Sequence, residues 1–90
     1  MTVEELYLIE KSRIRKLALR YARIYHTEPE DLYQEGALAV IETYARYAEL
    51  PDEDLLKVTH RIVNRKIYKY AKEEYRHKVS ETQSNATEKE

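Results

Sequence analysis

Apolar residues recur along this chain in steps of three and four, not two. Ile14, Leu17, Tyr21 and Ile24 line one face of a first segment, and Leu32, Gly36, Ala39, Val40, Thr43 and Tyr47 line one face of a second. Leu55, Val58, Ile62, Val63, Ile67, Tyr70 and Ala71 form a stripe on a third. This is the period of α-helices. Thr2 followed by Glu5 has the spacing of a capping box and no breaker intervenes before His26, which predicts a helix over about residues 3–25. Leu6 and Ile9 are out of phase with the stripe after Lys11, predicting a bend near residues 10–12. Thr27 with Glu30 reads as a second capping box, and Pro29 fits only a first turn, so a second helix should span about 28–48. Leu50-Pro51-Asp52 ends it and starts a third, with three acids at its positive end, running to about Lys78. The final residues 80–90 contain only Ala86 as an apolar side chain, which predicts a disordered polar tail.

The second helix carries more apolar surface than one core face needs. Leu38, Ile41 and Ala45 widen it, so the helix is either sandwiched between two others or keeps a face for a partner. Gly36 in mid-helix costs about 1 kcal/mol relative to Ala and so marks a close helix crossing. Composition agrees: with one Gly and two Pro there is almost no turn punctuation, and the expectation is an all-α fold, a small three-helix bundle with a long C-terminal helix over residues 1–79. A chain of 90 residues without Cys excludes a disulfide scaffold. His26, His60 and His77 lack metal-ligand spacing and there is no Gly-rich phosphate loop, so no metal, cofactor or catalytic activity is expected. No apolar run approaches the ~18 residues of a membrane span, and no signal peptide is evident; a soluble, cytoplasmic protein with no membrane partner is expected. The nine aromatic residues are all Tyr, suited to the core boundary where the hydroxyl reaches water.

Charge changes the picture once it is divided along the chain. The formal net charge of −1 is made of −3 over residues 1–10, +6 over 11–23, −8 over 24–56, +6 over 57–78 and −2 beyond. An acidic middle between two basic segments implies two surfaces for two partners, or segments that neutralise each other internally. On the third helix Arg61, Arg65, Lys69, Lys72 and Arg76 recur at steps of four, four, three and four, with Tyr68 and Tyr75 beside them. Cations interleaved with flat rings suit single-stranded nucleic acid; a solvated face with boundary Tyr is the plainer alternative.

The run Asp31-Leu32-Tyr33-Gln34-Glu35-Gly36, continued by ALAVIETYARY to Tyr47, resembles region 2 of bacterial sigma factors. There an Asp-Leu-x-Gln-Glu-Gly run opens the helix that docks on RNA polymerase, and an apolar helix ending in an aromatic follows. Tyr47 stands where the family usually has Phe. LALRYARIY, Leu17 to Tyr25, looks like the family's first helix, and Leu55 to Arg76 like its promoter-reading helix, so the resemblance covers about residues 12–78.

The resemblance implies that the acidic second helix binds the basic clamp coiled coil of the largest subunit of core RNA polymerase. Asp31, Gln34, Glu35 and Ile41 match the docking positions, and Ala37, Leu38 and Glu42 lie on the same segment. It also implies that the third helix contacts the minus-ten promoter element and its non-template strand. Arg61, Arg65, Lys66, Lys69, Lys72 and Arg76 would meet phosphates, while His60, Asn64, Tyr68 and Tyr75 are the candidates for base contacts. Two departures qualify this. Housekeeping sigma factors carry a Trp pair where this chain has Arg61 and Ile62, which removes two stacking rings. The chain also ends just after region 2, so the expectation is half of a split sigma factor, with a second protein supplying the minus-thirty-five reading domain. The alternatives are a sigma-like regulator that binds polymerase without reading promoters, and a helical dimerisation module in which the second helix meets a copy of itself.

Overall fold

The computed structural model describes residues 1–88, with side chains through Ser80. Three helices follow one another, α1 (Val3–Tyr25), α2 (Pro29–Tyr47) and α3 (Asp52–Glu88), and each packs against the other two. The all-α three-helix bundle expected from the periodicity is the observed fold. Direction follows from the terminal contacts. The Tyr44 hydroxyl donates to the Met1 carbonyl at 2.8 Å, so α2 runs antiparallel to α1. The amino terminus lies 3.8 Å from Asp52 and Lys78 Nζ donates to the His26 carbonyl at 2.6 Å, so α1 and α3 run parallel. That lysine also places positive charge at the negative end of α1.

The first capping box forms as predicted: Thr2 Oγ1 accepts from the Glu5 amide at 3.2 Å and Glu5 accepts from the Thr2 amide at 2.9 Å. Hydrogen bonds to the Glu5 carboxyl from the Thr2 amide, and then from the Thr2 side chain, lower its pKa below the ordinary value, because the ionised carboxylate is the better acceptor. The second box does not form. Glu28 occupies the N-cap of α2, Pro29 begins the helix, and Thr27 lies one residue too early, its hydroxyl enclosed without a partner. Pro29 fixes the entry by its pre-set φ and needs no amide. His26 closes α1 in the left-handed region, φ 55°, and its amide reaches back to the Ala22 carbonyl.

Helix α1 runs without a break through residues 10–12. Its buried positions are Leu6, Glu10, Ile14, Ala18 and Ala22, one phase at steps of four. The apparent offset arose because the buried slot at position 10 holds a glutamate. The face read as Ile14, Leu17, Tyr21 and Ile24 is therefore corrected: Ile14 is core, Leu17 and Tyr21 are half-buried, and Ile24 is exposed, while Ala18 and Ala22 let the neighbouring helices approach. On α2 the inward face is Leu32, Gly36, Ala39, Val40 and Thr43, and on α3 it is Leu55, Thr59, Val63, Ile67 and Ala71. Thr43 and Thr59 satisfy their buried hydroxyls by donating to the carbonyls of Ala39 and Leu55, each at 2.6 Å. Leu6, Leu32, Leu55 and Ile67 are fully buried, each stabilising by roughly 1.5–3 kcal/mol.

The crossing expected at Gly36 is present. A Cβ on it would lie 2.6 Å from Ile14 Cγ2 of α1 and 3.1 Å from Ile67 Cδ1 of α3, so all three helices meet there. At the far end α3 continues to Glu88, beyond the expected stop near Lys78 and through most of the segment read as a disordered tail; residues 89–90 lie outside those described. No Gly or Pro follows Pro51, so nothing in the sequence terminates the helix.

Candidate functional site

The sigma-like run divides between the two sides of α2. Leu32 and Gly36 are buried, whereas Asp31 and Gln34 are exposed and Glu35 is half-buried. Gln34, Leu38, Ile41 and Ala45 recur at steps of four, three and four on the outward side, all exposed, with Leu38 at 52% and Ile41 at 55%. Asp31, Glu35 and Glu42 rim this strip on the side of α3, and half-buried Ala37 borders it opposite. Burial raises the pKa of Tyr70 on α3, and the negative charges of Glu74, Asp31 and Glu35 add to the shift, which places the α2 rim beside that ring. The described ion pairs are Met1 with Asp52 and Arg13 with Glu10, so the carboxylates of Asp31, Glu35 and Glu42 are unpaired. The acidic and basic blocks therefore do not neutralise each other through ion pairs among the described residues.

A second face lies on α3. Arg61, Arg65, Lys69, Lys72 and Arg76 are all exposed along one side. Asn64, Tyr68 and Tyr75 form its edge toward α1, where they meet two rings that the sequence did not single out for this role. Tyr68 lies 5.5 Å from Tyr21 and 6.1 Å from Tyr25, ring centre to ring centre, both edge to face. Tyr25 is 5.9 Å from Tyr75 and 6.4 Å from Tyr21, and the Tyr21 hydroxyl donates to Asn64 Oδ1 at 3.4 Å. Arg20 sits 6.0 Å from the Tyr21 ring and Lys72 sits 5.7 Å from Tyr68. A hydrogen bond with Tyr68, then burial, raises the Tyr25 pKa above the ordinary 10.0. The step of four from Tyr21 to Tyr25 was visible in the sequence, but Tyr21 was absorbed into the core reading.

One predicted nucleic-acid contact falls elsewhere and another is partly enclosed. Lys66 leaves the basic stripe and lines an open cleft of about 510 Å³ between α2 and α3, with Glu42, Arg46, Tyr47 and Ile62. Its spacing from Arg65 is one residue, about 100° around the helix, which carries it off the face. His60 is half-buried, with Nδ1 enclosed and unpartnered. It turns toward Glu10, which is 1% exposed and takes a 3.5 Å contact from Arg13 on Oε1 while Oε2 has no partner. Burial raises the Glu10 pKa, and the charges of Arg13 and His60 oppose that rise. His60 thus takes part in the α1–α3 packing, with its Nδ1 edge shielded and the rest of the ring half-exposed.

No known protein family, curated protein or solved structure matches the chain. The functional reading accordingly stands on its residues and their geometry. Among the described residues no three His, Cys, Asp or Glu are grouped to hold a metal ion, and no helix is long and apolar enough to cross a membrane. What the surface offers chemically is two contact faces of opposite sign. One is an apolar strip rimmed by unpaired carboxylates, suited to charge-assisted hydrogen bonds from Arg around a desolvated centre. The other combines cations with partly exposed rings, suited to phosphates and base faces.

Proposed function

We propose that this chain is a sigma region 2-like transcription module that docks on RNA polymerase through α2 and contacts promoter DNA through α3. The observation that carries this reading is the division of the Asp31–Gly36 run: Leu32 and Gly36 build the crossing, which turns Asp31, Gln34, Leu38, Ile41 and Glu42 outward as one exposed face. Such a face complements a basic coiled coil like the clamp helices of the polymerase's largest subunit, with Leu38 and Ile41 at the desolvated centre and the carboxylates at the rim. The non-template strand of the minus-ten element would lie along Arg61, Arg65, Lys69, Lys72 and Arg76. Tyr68 and Tyr75, backed by Tyr21 and Tyr25, would offer rings to unstacked bases, each stacked base contributing about 1–3 kcal/mol. This supplies aromatic surface where the family's Trp pair is replaced by Arg61 and Ile62.

Retention of the tagged chain on core RNA polymerase tests the first half. Wild type is retained, and Glu35→Lys reduces retention by setting a cation against the basic clamp. Equal retention of both, or of neither, refutes docking through this face. Replacing Arg65, Lys69 and Lys72 together by Gln tests the second half: the holoenzyme complex should survive while promoter binding weakens and its salt dependence flattens by about 0.7–0.9 log units per lost phosphate contact. Unchanged promoter binding by that variant removes the DNA role and leaves a polymerase-binding regulator.

A further inference from the structure

The outward side of α1 carries the docking pattern of α2 with its charges inverted. On α2 the pattern is Glu35, then Leu38 three residues on, then Glu42 four further; on α1 it is Lys16, then Leu19 three on, then Arg23 four further. Each triplet spans seven residue steps, about 10 Å along the axis and two turns on one face. Leu19 is 48% exposed, close to the 52% of Leu38, and Lys16 and Arg23 are exposed. Neither cation is in an ion pair with a described residue, nor is Glu35 or Glu42. Arg15 adds positive charge beside Lys16, as Asp31 adds negative charge one turn before Glu35.

We infer that the chain binds a second copy of itself by seating the α1 face (Lys16, Leu19, Arg23) of one copy on the α2 face (Glu35, Leu38, Glu42) of the other. Charge selects this pairing over its rivals. Laying α2 on α2 opposes carboxylates to carboxylates, and α1 on α1 opposes cations to cations, whereas α1 on α2 pairs each end with its opposite around two leucines. The α3 stripe is also basic, but its exposed apolar side chains are Tyr68, Tyr75 and Val79, with no leucine centred between two cations to meet Leu38. The equal spans allow the match in either helix direction. One helix face on another is a small interface, below the ~1,200 Å² of stable complexes, so the association is transient and salt-sensitive. If α2 docks on polymerase as proposed above, the α1 face of a second copy occupies the same residues and the two contacts exclude each other. The self-association itself does not depend on that reading.

Two double reversals of the full chain provide the test. Lys16→Glu/Arg23→Glu makes both faces acidic, and Glu35→Lys/Glu42→Lys makes both basic. In sedimentation velocity at low salt, the average mass of wild type rises with concentration and falls back to the monomer at about 1 M salt, where the screening length is about 3 Å. Each reversed variant alone weakens association at least about tenfold. An equimolar mixture restores it, because every acidic face again meets a basic one. That restoration also shows that both variants are folded. A wild type that stays monomeric throughout overturns the inference. So does a mixture that fails to associate, or an association that survives Lys16→Glu/Arg23→Glu, the last pointing instead to α2 pairing with itself. Polymerase retention measured on the same proteins is a separate readout, so failure of self-association leaves the docking reading intact, and the reverse.

Discussion

Gly36→Ala is the most direct probe of how the bundle presents its outer face. In an exposed helix this change stabilises by about 1 kcal/mol, because Ala loses less backbone entropy. Here the new methyl meets Ile14 Cγ2 at 2.6 Å, about 0.8 Å inside the 3.4 Å at which ordinary contact begins, and Ile67 Cδ1 at 3.1 Å. Ile67 can yield, since its Cδ1 is the end of a flexible branch. Ile14 cannot yield cheaply: its Cγ2 is attached to a β-branched carbon with one favoured rotamer in a helix, and the residue is 4% exposed. Overpacking costs about 1–3 kcal/mol, and a 2.6 Å approach to a side chain that cannot yield belongs to the upper part of that range, about 2–3 kcal/mol; less the propensity gain of about 1 kcal/mol, the net effect is a destabilisation of about 1–2 kcal/mol. At roughly 4–8 °C per kcal/mol for a domain of this size, the melting temperature falls by about 5–15 °C. Thermal unfolding by circular dichroism measures it. Ile14→Ala, costly alone by about 2–5 kcal/mol, opens space for the methyl, so the double variant should lose at least about 1 kcal/mol less than the two single losses together. An unchanged or raised melting temperature for Gly36→Ala, or strict additivity in the cycle, refutes the close crossing.

Glu10→Met removes a buried, half-satisfied carboxylate and should stabilise by about 1–2 kcal/mol at pH 7, as apolar replacement of buried charge often does. Because burial raises the Glu10 pKa above its ordinary 4.5, the native state prefers the protonated form, and wild-type stability declines as pH climbs from 4.5 through the raised value. The advantage of Glu10→Met therefore shrinks toward pH 4.5, and urea titrations at several pH values would contradict this if the gap stayed constant. Tyr68→Ala should weaken binding of a fluorescent oligothymidylate by about 1–3 kcal/mol, read by anisotropy, while Tyr68→Phe retains most of it; equal losses would point to the hydroxyl and not to stacking.

The helices, their order and most of α2 and α3 were legible because apolar periodicity dominates there and caps and prolines mark the ends. Where the reading failed, a buried position carried the wrong kind of residue. Glu10 occupies a core slot of α1, so the stripe seemed to shift phase, and Ala18 and Ala22 were overlooked because small side chains contribute little to an apolar pattern while deciding how near the helices come. The face of α2 was legible for a related reason: Leu38 and Ile41 are apolar in excess of what the core needs, and the structure leaves them exposed. The aromatic cluster was half legible. Tyr68 and Tyr75 flank a basic stripe on one helix, but their pairing with Tyr21 and Tyr25 depends on the α1–α3 packing, which one-dimensional spacing does not encode. Lys66 shows the limit of grouping by sequence neighbourhood, since adjacent residues on a helix point about 100° apart and it faces α2 and not the stripe of Arg65.

The charge blocks acquire their meaning from the bundle. A chain with an acidic middle and basic flanks lowers its electrostatic energy by pairing them internally, yet the ion pairs among the described residues join only Met1 to Asp52 and Arg13 to Glu10. The core explains why. Leu32, Gly36 and Ala39 turn α2 inward on its apolar side, and Ile14, Ala18 and Ala22 do the same for α1, so the charged sides of both helices are left facing water in different directions. Packing thus fixes the separation of charge, and each face remains available to an external partner of opposite sign. The same separation makes the chain complementary to itself, so any partner of α2 competes with the α1 of a neighbouring copy. At low concentration and moderate salt the transient self-contact is disfavoured, and under the proposed docking a longer basic surface with a deeper apolar centre would take α2 instead.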